Sequence, residues 1–180
     1  MCQFTDNNGR PTLADFVEFP KDVYPAGRLD FDSEGLVLLT NDGLLKHKLL
    51  DPKFRHPRTY LVQIERLPSP EALDRLRQGV IIDGKKTLPA GVKLLEDEPA
   101  FPPRPVPIRF RKNVPTAWLE LTIREGRNRQ ARKMTAAAGH PALRLIRIAV
   151  ANLALDGIKP GEHRTLSPQE IAGLRSLLKA

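Results

Sequence analysis

The sequence predicts an α+β fold with a mixed, mostly antiparallel sheet and flanking helices. Apolar strands follow one another in runs along the chain, whereas a doubly wound parallel fold would alternate them regularly with helices. Turn signals rich in Gly, Asn and Asp stand between these strands. The 180 residues, of which 41% are hydrophobic, suffice for one large domain or two closely packed halves.

Strands are predicted where apolar and polar residues alternate, or where a short apolar run ends at a turn signal. In chain order they are residues 2–4, 36–39, 59–65, 80–82, 90–95, 117–124, 143–149, 153–155 and 163–166. The alternation in residues 59–65 puts Tyr60, Val62 and Ile64 on one face of the sheet. A turn at residues 7–9 follows the first of these strands.

Helices are predicted from apolar residues at helical spacing and from end signals. A helical turn is predicted at residues 12–16, with Leu13 and Phe16 inward. Helices are predicted at residues 44–50, 70–78, 128–138 and from residue 168. The apolar face of the last helix consists of Ile171, Leu174, Leu177 and Leu178. Ser69 and Ser167 are expected caps with proline next, and Glu170 completes a capping box. Thr40 or Asn41 is expected to cap the helix at 44–50.

The proline-rich residues 99–107 predict an extended surface connection, because five prolines there exclude a helix or a central strand. A polyproline-type recognition segment is the less favoured alternative.

The net charge of +8 indicates a polyanionic partner. A single cysteine, Cys2, excludes an internal disulfide and suits a reducing compartment. No apolar run approaches the roughly 18 residues that span a bilayer, and the N-terminus lacks a signal-peptide pattern. A soluble, cytoplasmic protein without membrane contact is therefore expected.

Several common site motifs are missing from the sequence. The four histidines and the cysteine have no ligand spacing, so no metal is expected. No glycine-rich phosphate loop and no GxSxG nucleophile turn occur. Nucleotide binding through such a loop and a Ser-His-Asp hydrolase are therefore not supported.

The segment YPAGRLDFDSEGLVLLTNDG, residues 24–43, places a charged cluster before a predicted core strand. If its backbone is extended, Arg28, Asp30 and Asp32 point the same way. A carboxylate beside an arginine can act as a nucleophile or a base. The alternative is a surface ion pair of little energetic value.

A second charged cluster, REGRNRQARK at residues 124–133, concentrates cations at a predicted helix start. Acidic residues usually occupy that position because of the helix dipole. Cations there indicate an anionic partner or an internal carboxylate, and arginine donors suit phosphate. A solvated basic face is the alternative.

The stretch GRLDFDSEGLVLLTNDG resembles the catalytic motif of the RsuA-type pseudouridine synthases, which modify ribosomal RNA. The stretches RTYLV, REGRNRQARKM with GHPALRLIRIAV, and GEHRTLSPQEI are similar to the family's other signatures. These motifs occur in the family's order and cover almost the entire chain.

The resemblance implies the pseudouridine synthase fold, with two closely packed halves around a central cleft. It implies a catalytic domain over residues 1–180, without its first few native residues and without a separate RNA-binding domain. The implied activity is isomerisation of a uridine in 23S ribosomal RNA, free or in an assembling large subunit, by a monomer that needs no cofactor.

The resemblance also implies site residues. Asp30 matches the catalytic carboxylate, either as a nucleophile on the sugar or as a base. Tyr60 matches the tyrosine that packs against the target base, and Arg132 the basic residue that pairs with the aspartate. The residues expected to contact RNA are Arg28, Arg58, Arg127, Arg129 and Lys133. The family commonly has lysine at position 58 and a branched aliphatic residue at position 131, where this chain has arginine and alanine.

Two other functions remain open from the residues. One is a catalytically silent RNA-binding or ribosome-assembly protein, which would have no need of Asp30 among phosphates. The other is a glycosidase using Asp30 with Asp32 or Glu34. The charge of +8, one tryptophan and two tyrosines count against a sugar-stacking site.

Overall fold

A computed structural model describes residues 2–104, 111 and 113–177. The strands are β1 Tyr24–Pro25, β2 Glu34–Gly35, β3 Leu39–Thr40, β4 Arg58–Glu65, β5 Ile81–Ile82, β6 Lys85–Lys86, β7 Gly91–Leu94, β8 Thr116–Ile123, β9 Ala142–Val150 and β10 Leu153–Ala154. The helices are α1 Gly43–Leu50, α2 Pro70–Gln78, α3 Gln130–Ala137 and α4 Pro168–Leu177, with 3-10 turns at Leu13–Asp15 and Pro52–Phe54.

A six-stranded sheet organises the fold. Its order is β10-β9-β4-β8-β7, with antiparallel neighbours, and β2 adds to β9 in parallel. β1 pairs with β3, and β5 with β6, as separate antiparallel ribbons. The predicted α+β class with a mixed, mostly antiparallel sheet is confirmed. The implied division into halves around a cleft stays a prediction.

The central strand β4 has an apolar core on both faces. Val62 and Ile64 are fully buried in a cluster that includes Leu76 of α2, Leu119 of β8 and Met134 of α3. On the other face, the buried residues are Leu61, Trp118 and Ile146. The alternation predicted for residues 59–65 is therefore confirmed, and burial of this apolar surface is the main force that holds the sheet to the helices.

A third cluster lies where α1 and α4 meet the end of β9. Its buried members are Ala26, Leu36, Leu49, Val150, Leu153 and Leu174. Because it includes residues on both sides of the turn at Asp30, it fastens that turn's flanks to the sheet.

The predicted helix caps hold at α2 and α4. The Ser69 hydroxyl accepts a hydrogen bond from the backbone N–H of Ala72, and Gly79 ends the helix. At α4, Ser167 and Glu170 exchange hydrogen bonds of 3.2 and 2.8 Å as a capping box. The cap of α1 is Asp42, which accepts from Leu45, so the prediction of Thr40 or Asn41 is wrong.

The strand predicted at residues 36–39 is wrong as one element. Leu36 donates its N–H to the carbonyl of Arg147 in β9, whereas the carbonyl of Leu38 accepts from Ala26. The backbone thus changes partner between two sheets, and only Leu39–Thr40 forms a strand there.

The strands predicted at the two ends of the chain, residues 2–4 and 163–166, are also wrong. Rings from both segments pack on Phe19 instead: Phe4 at 5.9 Å and His163 at 5.3 Å between centroids. The turn at residues 7–9 and the helical turn at Leu13–Asp15 are confirmed. Phe16 and Leu177, expected inward, are 60% and 46% exposed, and Leu178 lies outside the described residues.

Residues 99–104 form neither helix nor strand, as predicted, and residues 105–107 of that segment lie outside the described residues. Among the helices that are described, none has the length and apolar character to cross a membrane.

Candidate active site

Asp30 begins a tight turn that leads into β2. The N–H of Ser33 donates to the carbonyl of Asp30 at 2.9 Å, which places Phe31 and Asp32 at the corner of the turn. The Asp30 side chain is 34% exposed. The carboxylate is therefore presented at the surface by a fixed backbone.

Two arginines from the start of α3 hold the turn through Asp32. Arg129 forms a bidentate fork with the Asp32 carboxylate, at 2.8 and 2.7 Å. Arg132 donates to the backbone carbonyl of Asp32 at 2.6 Å, and its Nε lies 3.4 Å from the carboxylate. Bidentate charge-assisted bonds fix geometry as well as charge, so Asp32 is the anchor of the turn.

The charges of this cluster shift one another's pKa values. The Arg129 hydrogen bonds, helped by the charge of Arg132, lower the pKa of Asp32 below its usual value. The same hydrogen bonds raise the pKa of Arg129. Burial lowers the pKa of Arg132, although the carboxylates of Asp32 and Asp30 oppose that shift.

Asp30 itself pairs with Arg129, at 3.7 Å between Oδ2 and Nη1. The expected ion pair between Asp30 and Arg132 is wrong, because Arg132 is engaged by the backbone and carboxylate of Asp32 and by the carbonyl of Ala142. Within the described part of the chain, the Asp30 carboxylate accepts no hydrogen bond. Its oxygens thus stay available to a substrate.

A local backbone feature brings Arg129 to the turn. The helix predicted from residue 128 starts at Gln130, and Arg129 takes a left-handed conformation with φ of 50° as its N-cap. Gln130 bonds outward from the helix start, accepting from the N–H of Arg127 and donating to Glu125. The pattern of cations at a helix start predicted an internal carboxylate or an anionic partner, and Asp32 is that carboxylate.

Arg147 of β9 is a site residue that sequence reasoning missed. It is 4% exposed, and it donates to the carbonyls of Leu36 at 2.8 Å and Arg28 at 3.2 Å. A Cβ at Gly35 would collide with the Arg147 backbone, and Gly35 has a φ of +105° that favours glycine. An arginine inside an apolar strand was the available signal, since buried charge requires partners.

Glu34 provides a further tether after the turn. Arg144 of β9 binds it at 3.0 and 2.8 Å, and Arg104 lies 3.1 Å from it. Asp32 and Glu34, to which the motif assigns no chemical role, therefore hold the loop in place.

Tyr60 lies in β4 opposite Arg147 in the strand register, and it packs against the main core cluster. Arg58, two residues before it, donates to the carbonyl of Leu49 at 3.2 Å, and burial lowers its pKa. Tyr60 is thus the cross-strand neighbour of Arg147, whose side chain holds the loop that carries Asp30. The expectation that Tyr60 lies beside Asp30 stays a prediction.

The remaining residues expected to contact RNA fall in two groups. Arg28 is exposed beside the turn. Arg127 and Lys133 instead hold the β5–β6 ribbon: Arg127 donates to the carbonyls of Lys85 and Lys86 at 3.0 and 2.6 Å, and Lys133 pairs with Asp83 at 2.6 Å. Their donors are engaged with protein groups, and Lys85 and Lys86 are the exposed cations of that ribbon.

Comparisons with known proteins agree with the motif resemblance. The family model described as RNA pseudouridylate synthase matches residues 4–137. "Ribosomal large subunit pseudouridine synthase E" of Xanthomonas axonopodis pv. citri is 52% identical over 162 residues, covering 89% of this chain and 85% of the relative. The protein of the same name from Vibrio parahaemolyticus is 50% identical over 166 residues, covering 92% and 69%.

A solved structure gives the same result for the fold. The "Crystal structure of pseudouridylate synthase" superposes with a TM-score of 0.76 at 32% sequence identity. The match covers 91% of this chain, which spans 65% of that solved chain.

Proposed function

This chain belongs to the RNA pseudouridylate synthase family, and we propose that it isomerises a specific uridine of 23S ribosomal RNA to pseudouridine, with Asp30 as the catalytic carboxylate. The reaction breaks the glycosidic bond between uracil and ribose, turns the base, and rejoins it to the sugar through carbon 5. No atom is gained or lost overall, so the reaction itself calls for no redox cofactor.

The position of Asp30 carries this proposal. Asp30 is partly exposed on a fixed turn and 3.7 Å from Arg129, while the stronger arginine bonds go to Asp32. A group that must reach a sugar or a base needs free oxygens held in a set position. The two neighbouring aspartates therefore divide the work, Asp32 as the anchor and Asp30 as the reactive group.

The other groups act on the substrate around Asp30. A base inside folded RNA must leave its stack before its glycosidic bond can be reached. Tyr60 packs against the displaced uracil, and the exposed Arg28 contacts the same base beside the Asp30 turn. Arg132, through its hold on Asp32, and Arg129 keep positive charge at the site where anionic character develops during bond cleavage.

The RNA partner is recognised mainly through its phosphates. The charge of +8 supplies the sequence-independent attraction, and Arg28, Arg58, Arg127, Arg129 and Lys133 are its proposed source near the site. Arg58, Arg127 and Lys133 contribute positive charge, although their side-chain donors are engaged with groups of the protein itself. The enzyme acts as a monomer in the cytoplasm, on free ribosomal RNA or on an assembling large subunit.

The test is to incubate unmodified 23S and 16S ribosomal RNA with wild-type protein and with Asp30→Asn, and to map pseudouridine at nucleotide resolution. We expect one modified position in 23S RNA with wild type and none with Asp30→Asn. Binding without any product from wild type would favour the silent RNA-binding alternative. Release of free uracil without rejoining would favour glycosidase chemistry.

A further inference from the structure

Phe31, the residue directly after Asp30, is the most exposed of the large hydrophobic residues in the described chain, at 75%. We propose that its ring is a stacking platform for a nucleobase adjacent to the target uridine. This inference rests on the proposed function, and it adds a substrate-positioning contact that Asp30, Tyr60 and the arginines of the site do not supply.

The ring is exposed on a rigid support. The turn is closed by the bond from Ser33 to Asp30, and the next residue, Asp32, is held by the Arg129 fork. An apolar side chain on a mobile loop could fold back onto the protein, but this one is fixed at the corner of a tethered turn. The tethered turn therefore keeps the Phe31 ring exposed beside Asp30.

One charged neighbour approaches the ring. The guanidinium of Arg10 lies 6.0 Å from the Phe31 centroid, and Asp6 holds it there with bonds of 2.9 and 3.2 Å. This is the outer limit of a cation–π contact, so it leaves most of the ring in water. A flat, uncharged partner that covers the ring removes that apolar area from water.

A nucleobase is the partner that the surroundings favour. Phe31 directly follows Asp30 in the chain, so their Cα atoms are about 3.8 Å apart. A uridine held at Asp30 therefore brings the RNA strand on either side of it within reach of the exposed Phe31 ring. When the uridine leaves its stack, that neighbour loses a partner, and an aromatic ring can replace it because every base has a π-face.

The experiment uses an RNA hairpin containing the uridine mapped with wild-type protein, unlabelled for kinetics and with 2-aminopurine at a flanking position for fluorescence. Steady-state kcat/KM and 2-aminopurine quenching are measured for wild type, Phe31→Leu and Phe31→Trp. Phe16→Leu is the matched control, since it makes the same change at another exposed phenylalanine, 60% exposed.

We expect Phe31→Leu to lose about 5- to 150-fold in kcat/KM, the range for loss of one base–aromatic stack, together with the quenching. Phe31→Trp should keep both, and Phe16→Leu should match wild type. Equal kcat/KM and quenching for Phe31→Leu and wild type would overturn the inference while leaving the proposed function intact. No pseudouridine from wild type would remove the proposed function and this inference with it.

Discussion

Two regions of this molecule keep their shape by different forces. Strands β4, β8 and β9 are held by apolar packing, with Val62, Ile64, Leu119 and Leu121 fully or almost fully buried. The loop of residues 28–36, which carries Asp30, contains only two strand residues, Glu34 and Gly35. Between its apolar flanks Ala26 and Leu36, arginines hold this loop through Asp32, Glu34 and backbone carbonyls.

This fold uses different interactions for global stability and for the position of Asp30. Apolar burial is strong and non-directional, so it sets the global free energy of unfolding. Charge-assisted bonds are directional, so they set the position of a loop at small cost in apolar area. Substitutions in the two regions should therefore give different effects, on stability in one and on the rate in the other.

After replacement of Asp30 itself, the largest effect is expected from Arg147→Met. Loss of the bonds to Leu36 and Arg28 removes one tether on each side of Asp30, and misplacement by about 1 Å can reduce a rate about 100-fold. Steady-state kinetics should show such a fall in kcat. A change confined to KM would contradict the positioning role.

A matched control for that variant is Arg77→Met. Arg77 also bonds a backbone carbonyl, that of Val92 at 3.2 and 3.1 Å, but from α2 and outside the loop. Its kcat should equal that of wild type. A comparable fall in both variants would mean that any lost arginine tether disturbs the enzyme.

The core gives the opposite result in Leu119→Ala. Leu119 is 0% exposed in β8, and removing a buried leucine side chain costs about 2–5 kcal/mol of unfolding free energy. Urea unfolding measures that loss. The bonds that hold the loop are untouched, so kcat measured at urea concentrations well below the unfolding midpoint should equal the wild-type value. A large fall in kcat would contradict the distinction between the two regions.

The smallest effect is a titration. The Arg129 hydrogen bonds lower the pKa of Asp32, so the interaction stabilises the folded loop above the unfolded pKa of about 3.9. That stabilisation is lost as the pH falls through the lower, folded-state pKa. An NMR titration of the Asp32 carboxyl group should show the depressed pKa in wild type and a higher one in Arg129→Gln. The same pKa in both proteins would rule out Arg129 as the cause.

The sequence predicted the packed region better than the loop. Strand alternation in β4 and the caps of α2 and α4 follow from local rules, and the structure has them at the expected positions. Asp30 came from the motif, but its arginine partner was predicted as Arg132. The left-handed backbone conformation of Arg129 brings its side chain, rather than that of Arg132, to Asp30. A single left-handed residue leaves no periodic pattern in the sequence from which it could be predicted.

The broken strand after Gly35 has a related cause. Residues 36–39 are all apolar, so their sequence predicts one continuous strand. It gives no sign that the backbones of Leu36 and Leu38 form hydrogen bonds with different parts of the structure. Arg147 was visible only as a charge in an apolar strand. Both depend on contacts over more than 100 residues of sequence, such as Arg147 with Leu36, which local patterns do not encode.

We propose different roles for the two aspartates of the turn: Asp30 reacts with the substrate, and Asp32 anchors the turn. The most direct measurement is single-turnover pseudouridine formation on 23S ribosomal RNA by Asp30→Asn and Asp32→Asn side by side, with RNA affinity and melting temperature measured for each. We expect no product from Asp30→Asn, with RNA affinity and melting temperature retained, and slower but detectable product from Asp32→Asn. Product from Asp30→Asn, or none from a folded Asp32→Asn that still binds RNA, would contradict it.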